Sequence, residues 1–218
     1  MTEPAPDATG PGQVIEVGHP LIADKLTRLR DHRTTTGEFR TLINDIGTLL
    51  TPAATSHLPS VQTEVTTPLT TTEGSVLEGG LPVLVSILRA GNGLLDGVLR
   101  VMHDADVGFI GMYRDEATLT PHEYVVRLPV LAGRQVLVTD PMLATGHSAV
   151  AALDLVAAQG PAGVVFMCLV AAPEGIAELH AHHPDVRIVT AAIDSHLNDV
   201  GYIVPGLGDA GDRLYGTG

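Results

Sequence analysis

The chain has 218 residues, enough for one domain with embellishment, and at this size folding should bury about 70% of the unfolded chain's surface. Hydrophobic residues make up 44% of it, with 3% aromatics and no Trp, so its core is built from Val, Leu, Ile and Ala, a diet that suits buried parallel strands under covering helices. Its 12 Lys and Arg against 25 Asp and Glu give a formal charge of −13, which argues against a nucleic-acid or anionic-membrane surface and makes any anion site a local one.

The opening MTEPAPDATGPGQ has neither the basic nor the apolar region of a signal peptide and reads as a disordered tail over 1–13, leaving one domain over 14–218. Two helices come next: 19–32, with Ile22, Leu26 and Leu29 on one face, and 37–50, where Phe39, Leu42, Ile43, Ile46, Leu49 and Leu50 keep helical spacing. Residues 51–80 turn Thr-rich and helix-poor and read as two extended excursions. From Leu81 the chain alternates, with strands expected at 82–88, 107–113, 135–139, 163–171 and 186–193 and helices at 93–103, 147–159 and 174–183. That alternation predicts an α/β fold: a central, mostly parallel sheet covered by helices on both faces, with ligands outside the carboxyl ends of its strands.

The interruption at 113–129 is too polar for a crossover helix and reads as a projecting hairpin or lid. The longest fully apolar run, 164–172, falls far short of the ~20 residues a membrane span needs. Cys168 within it is the only cysteine, which excludes an intrachain disulfide and suits a small buried hydrophobe in an intracellular protein.

The stretch VTDPMLATGHS (138–148) carries the chemistry. An apolar strand ends on Asp140, and Thr145-Gly146-His147-Ser148 then opens a helical segment. Unpaired N–H groups and the macrodipole at such a helix start favour a phosphate. With no Lys after Gly146 and no Gly opening the pattern, the loop is not that of a nucleoside triphosphatase. Asp140 is placed to accept hydrogen bonds from sugar hydroxyls while the loop grips that sugar's phosphate.

Gly206-Leu207-Gly208-Asp209-Ala210-Gly211 spells GxGxxG, but only seven residues follow, too few for the βαβ unit of a dinucleotide site. These glycines instead let backbone approach a flat ligand closely. His180, His182 and His183 lack the Cys or carboxylate spacing of a metal site and suit a helix C-terminus. Asp194-Ser195-His196 has triad letters without a nucleophile elbow.

Several blocks in order carry a resemblance: SILRAG (86–91), GMYR (111–114), DPMLATG (140–146), LVAAPEGI (169–176), HPDV (183–186) and GYIVPGLGDAGDRLYGT (201–217). Over Val14 to Gly218 the chain resembles the uracil phosphoribosyltransferases. The resemblance implies a phosphoribosyltransferase-type fold and a reaction of pyrimidine salvage in the cytoplasm. In it the ribose 5-phosphate of 5-phosphoribosyl 1-diphosphate (PRPP) passes to N1 of uracil with Mg²⁺, giving UMP and diphosphate.

It further implies that Asp140, Pro141, Met142, Leu143, Ala144, Thr145, Gly146, His147 and Ser148 form the PRPP loop. Arg89 and Arg114 would bind the diphosphate and act in catalysis, with Asp209 also reaching PRPP. Ile203, Gly208, Asp209 and Ala210 would hold uracil in a C-terminal hood loop, and no protein cluster would hold the Mg²⁺, which PRPP itself carries. Arginine's planar fork suits phosphate oxygens, and cationic donors at a leaving diphosphate lower the barrier. A homo-oligomer is expected, supported by the N-terminal helices and 113–129. A GTP effector, found in some relatives, has no readable motif here.

Two letters depart from the family. His147 stands where a second Gly is usual, and Asn92 where Leu is common. Histidine changes charge near neutral pH, so an imidazole approaching the 5-phosphate would add pH dependence to PRPP binding. The alternatives are a phosphoribosyltransferase for another base and a PRPP-sensing regulator without catalysis, for which the net charge lacks the basic face.

Overall fold

The computed structural model describes residues 12–114 and 121–217, without the side chains of 113, 114 and 121–123. In chain order the elements are β1 (Val14–Glu16), α1 (Pro20–Arg30), α2 (Thr36–Thr55), β2 (Ser60–Thr66), β3 (Thr71–Leu77), β4 (Val83–Leu88), α3 (Gly91–Leu99), β5 (Val107–Arg114) and β6 (Pro121–Arg127). The second half holds β7 (Gln135–Thr139), β8 (Met142–Leu143), α4 (His147–Ala157), β9 (Gly163–Ala171), α5 (Pro173–His182), β10 (Arg187–Ile193), β11 (His196–Leu197), β12 (Ile203–Val204) and α6 (Ala210–Tyr215).

The N-terminal helices start on local signals. His19 caps α1 by accepting the Leu21 N–H, with Pro20 next, and Thr35 caps α2 by accepting the Glu38 N–H at 3.3 Å. α2 runs to Thr55, past the expected end at 50 and through Pro52, because Thr51 and Ala54 extend its buried stripe. Burial outweighs the bond that an interior proline removes. The extended excursion therefore starts only at Ser60, as the antiparallel hairpin β2–β3, a separate two-stranded sheet exposed on nearly every residue.

The main sheet runs β1-β10-β9-β7-β4-β5-β6, parallel throughout except for β6, with β8 pairing β9 off this path. Its strands are apolar on both faces. In β4, Leu84 joins the core under α1, α2, α3 and α6, while Val83 and Val85 join the core under α4 and α5. Alternate side chains of a strand face opposite ways, so covering both faces demands the unbroken apolar runs seen in the sequence.

Other differences from the sequence reading are local: α3 spans Gly91–Leu99 and not 93–103, and β8, β11, β12 and α6 are not among the expected elements. Gly12 and Gln13, assigned to the tail, already bond to Asp185 and Ile188 of the β10 edge, and the rest of that tail lies outside the described residues. β1 is an addition to the expected strands, too short to show a period. The 113–129 segment is a hairpin whose second strand, β6, pairs antiparallel with β5 in the main sheet, and its tip at 115–120 lies outside the described residues. Cys168 is a buried thiol whose pKa burial pushes up to about 12, matching the small-hydrophobe reading. Among the described residues no helix is long and apolar enough to cross a membrane.

Candidate active site

The phosphate loop forms at the carboxyl end of β7, where the strand order places β4 and β9 on either side. Its backbone is stitched to the next strand: the Asp140 N–H donates to Met167 O at 3.1 Å, and Pro141 O accepts from Leu169 and Val170. Leu143 O accepts the Ala172 N–H at 2.9 Å, so the loop cannot lift from β9. Gly146 then caps α4 at φ +84, a conformation that favours glycine. A Cβ there would stand 2.9 Å from Glu178 Cβ and 3.0 Å from Gly175 O. Gly175, from the LVAAPEGI block, serves the same packing, since its own Cβ would meet Ala144 O at 2.3 Å.

The loop lines a cavity of ≈ 160 Å³ walled by Asp140, Met142, Leu143, Ala144, Thr145, Gly146, Ser148 and Ala149. Pro141 is buried and does not line the cavity. His147 is the first residue of α4 and contributes its backbone at the helix start, but its side chain is exposed and outside the cavity wall. Asp140 is half-buried, its Oδ1 accepting the Met142 N–H at 3.3 Å. Burial pushes its pKa up to about 7, partly opposed by that N–H.

A second cavity of ≈ 550 Å³ opens beside the first, walled by Arg89, Ala90, Met112, Tyr124, Met142, Ala144 and 200–203 and 208–211 of the C-terminal hood. All four residues expected to hold the base, Ile203, Gly208, Asp209 and Ala210, lie in this wall, and so does Arg89. Met142 and Ala144 line both cavities, so the two are neighbours across one strip of backbone. Asp209 caps α6 by accepting the Asp212 N–H at 2.9 Å. Arg114 ends β5 opposite Pro121, and its side chain lies outside the described residues.

Several contributors carried no signal in the sequence. Tyr124 comes from β6 and lies over Gly111, where a Cβ would approach its ring to 2.6 Å; that contact explains the glycine of GMYR. Tyr215 donates its hydroxyl to Arg89 O at 3.0 Å, and its ring lies 6.0 Å from the Arg89 guanidinium. Asn92, the departure after SILRAG, accepts the Ser86 hydroxyl at 2.9 Å and pairs with the Tyr215 hydroxyl, tying the β4–α3 turn to the tail. Asp194 pairs with Arg30, not with His196, which meets Ser195 Oγ instead. His180 and His182 in the last turn of α5 bond the carbonyls of Val186 and Glu178. Arg30 reaches the hood from far along the chain, 176 residues from the Gly206 carbonyl it bonds, and only the folded structure identifies it.

Comparison with known proteins bears on this geometry. The family model described as uracil phosphoribosyltransferase matches residues 16–217. A protein named uracil phosphoribosyltransferase from Legionella pneumophila (strain Lens) is 55% identical over 206 residues, 94% of this chain and 96% of its own. One of the same name from Rhizobium rhizogenes (strain K84) is 52% identical over 205 residues, 94% of this chain and 98% of its own. Among solved structures, the AQ2163 protein from Aquifex aeolicus superposes with a TM-score of 0.89 at 39% identity, covering 93% of this chain and 98% of that one.

Proposed function

The chain belongs to the uracil phosphoribosyltransferase family, and on that premise we propose how its two adjoining cavities divide the family's reaction, the transfer of a phosphoribosyl group from PRPP to uracil. The observation that carries the proposal is their shared wall: a loop cavity at a helix start and a larger cavity under the hood meet across Met142 and Ala144, which suits a phosphate and a base joined through one ribose. The 5-phosphate sits on the N–H groups of Thr145 to Ser148, and the ribose hydroxyls donate to Asp140. Uracil lies under the hood, its N3–H and two carbonyls matched by backbone between Ile203 and Ala210. Cytosine, with an acceptor at N3 and a donor at C4, would leave those groups unpaired.

Uracil N1 then bonds to the anomeric carbon as the carbon–oxygen bond to diphosphate breaks, and N1 loses its proton. Oxocarbenium character builds on the sugar and negative charge on the leaving group. Arg89, in the cavity wall, and Arg114, at the end of β5, donate to that diphosphate. Mg²⁺ would be held mainly through substrate oxygens, because it keeps waters and binds phosphates with few protein ligands, and the carboxylates nearest it would be Asp140 and Asp209 in the two cavity walls. When bound, the ion offsets charge on the diphosphate.

A homo-oligomer belongs to the same proposal. The hairpin β2–β3 exposes Val61, Val65, Leu69 and Val76 and is too small to be stable alone, which suits burial against a second copy of the chain. Light scattering that gives only monomer at micromolar concentration would overturn this. The GTP effector rests on the resemblance alone, and initial rates titrated with GTP test it. A cytoplasmic location fits a lone cysteine that stays a thiol. The function itself is tested by mixing protein, Mg²⁺, PRPP and one base at a time and following diphosphate. Uracil should be fastest; faster turnover with cytosine, orotate or hypoxanthine, or no turnover at all, refutes the reading.

A further inference from the structure

The hood's shape is set from outside the base cavity. Gly206 makes its bend at φ +60, where a Cβ would fall 2.1 Å from Ile203 O. Both backbone polar groups of this residue are taken by one ion pair. Arg30 Nη1 donates to Gly206 O at 2.6 Å, and the Gly206 N–H donates to Asp194 Oδ2 at 2.9 Å. The same two side chains meet in a bidentate fork, Nη1 to Oδ2 at 2.8 Å and Nη2 to Oδ1 at 2.6 Å. Arg30 ends α1 and Asp194 follows β10, and their side chains are only 23% and 5% exposed. One residue on, Arg213 Nη1 donates to Leu207 O at 2.7 Å. None of Arg30, Asp194, Gly206 or Leu207 lines the base cavity, yet Ile203 on one side and Gly208 on the other do.

We propose that Arg30 and Asp194 are positioning residues for base recognition: by locking both peptide groups of Gly206 they hold Ile203 to Ala210 in the register that matches uracil. The proposal rests on the uracil reading above. A fork held by two parallel charge-assisted bonds fixes angle as well as distance, which a single bond does not. Binding then spares the cost of ordering the loop. The phosphate loop hangs from β7, β9 and α4 and shares none of these contacts, so loosening the bracket acts chiefly on the base and reaches PRPP only through Asp209.

The experiment compares Arg30→Met, Arg30→Lys and Asp194→Asn with wild type and with Arg33→Ala, which removes only an exposed ion pair to Asp31. Uracil KM should rise at least tenfold in Arg30→Met and less in Arg30→Lys, which keeps charge without the fork. PRPP KM should stay within about threefold, and the ratio of kcat/KM for uracil over cytosine should fall. Amide hydrogen exchange, which needs no substrate, should quicken across 201–211 and not across 140–148. Folded variants with unchanged uracil KM overturn the proposal, and so do uracil and PRPP KM values that rise together. If Arg30→Met does not fold, the other two variants decide by the same criteria. Wild type that ignores uracil refutes the substrate reading, while exchange still judges the bracket.

Discussion

The phosphate loop and the hood share the strip of Met142 and Ala144, yet they are held in opposite ways. The loop is local: one strand end, a left-handed glycine and the start of α4, bonded to the adjacent β9. The hood is assembled from afar. Arg30, 176 residues from Gly206 in sequence, and Arg213, 182 residues from the Asp31 carbonyl it also holds, determine where its backbone lies. Phosphate is a symmetric anion that a helix start binds through backbone alone, whereas a planar base must be met at fixed angles. A recognition surface that depends on angle calls for bracing by several elements.

The largest effect should come from the cation in the wall of the cavity under the hood. Arg89→Ala should lower kcat/KM by about 10²–10³, the loss expected for one preorganised donor to developing charge. A steady-state assay with both substrates varied checks it, and a change under threefold would make Arg89 a surface residue braced by Tyr215. Gly146→Ala probes the local construction directly. Positive φ costs about 1–2 kcal/mol for alanine, and the approach to Glu178 and Gly175 adds overpacking, so PRPP KM should rise roughly 30-fold or more. Uracil KM measured at saturating PRPP should move far less. Equal changes in both would break the distinction between a local loop and a braced hood.

That distinction also governs what was legible in the sequence. Asp140, Thr145, Gly146 and Ser148 lie within nine consecutive residues, and their order on a strand–loop–helix pattern points to a phosphate with no knowledge of which strands pair. β7 and β9 match their expected bounds because continuous apolar runs bounded by turns leave little choice. The proposed base pocket was hinted at by the glycines of 206–211, and its residues were legible only through family blocks. Its physical supports, Arg30, Asp194, Tyr124 and Tyr215, come from four separate stretches whose meeting depends on sheet order. α2 overran its expected end for the same reason, since tertiary burial of Thr51 and Ala54 is invisible to a local helix signal.

Asp140→Asn should produce a smaller, two-sided effect. Losing a charged acceptor for sugar hydroxyls should lower kcat/KM by about 10–10²-fold. Stability should move the other way. The native carboxyl has its pKa raised from 3.8 to about 7, so the folded state holds a proton that the unfolded state releases. Its contribution is fully present below pH 3.8 and is lost as pH rises through about 7. Asparagine escapes that loss. Thermal melts should show Asp140→Asn more stable than wild type at pH 8, with the gain shrinking towards pH 5. A gain that is flat with pH would mean that burial does not disfavour the Asp140 carboxylate.

The smallest expected effect belongs to His147. Its backbone N–H stays at the helix start whatever the side chain, and the imidazole is exposed, outside the cavity wall. What it can add is charge. An imidazolium beside the loop attracts a phosphate, while the α4 dipole opposes a cation at that end, and interactions of this exposed kind are worth about 0.3–1 kcal/mol. His147→Gly should therefore raise PRPP KM by no more than about two- to fivefold. A PRPP KM that does not move would show that the loop binds phosphate through backbone alone, the purest form of the local construction that sets it apart from the hood.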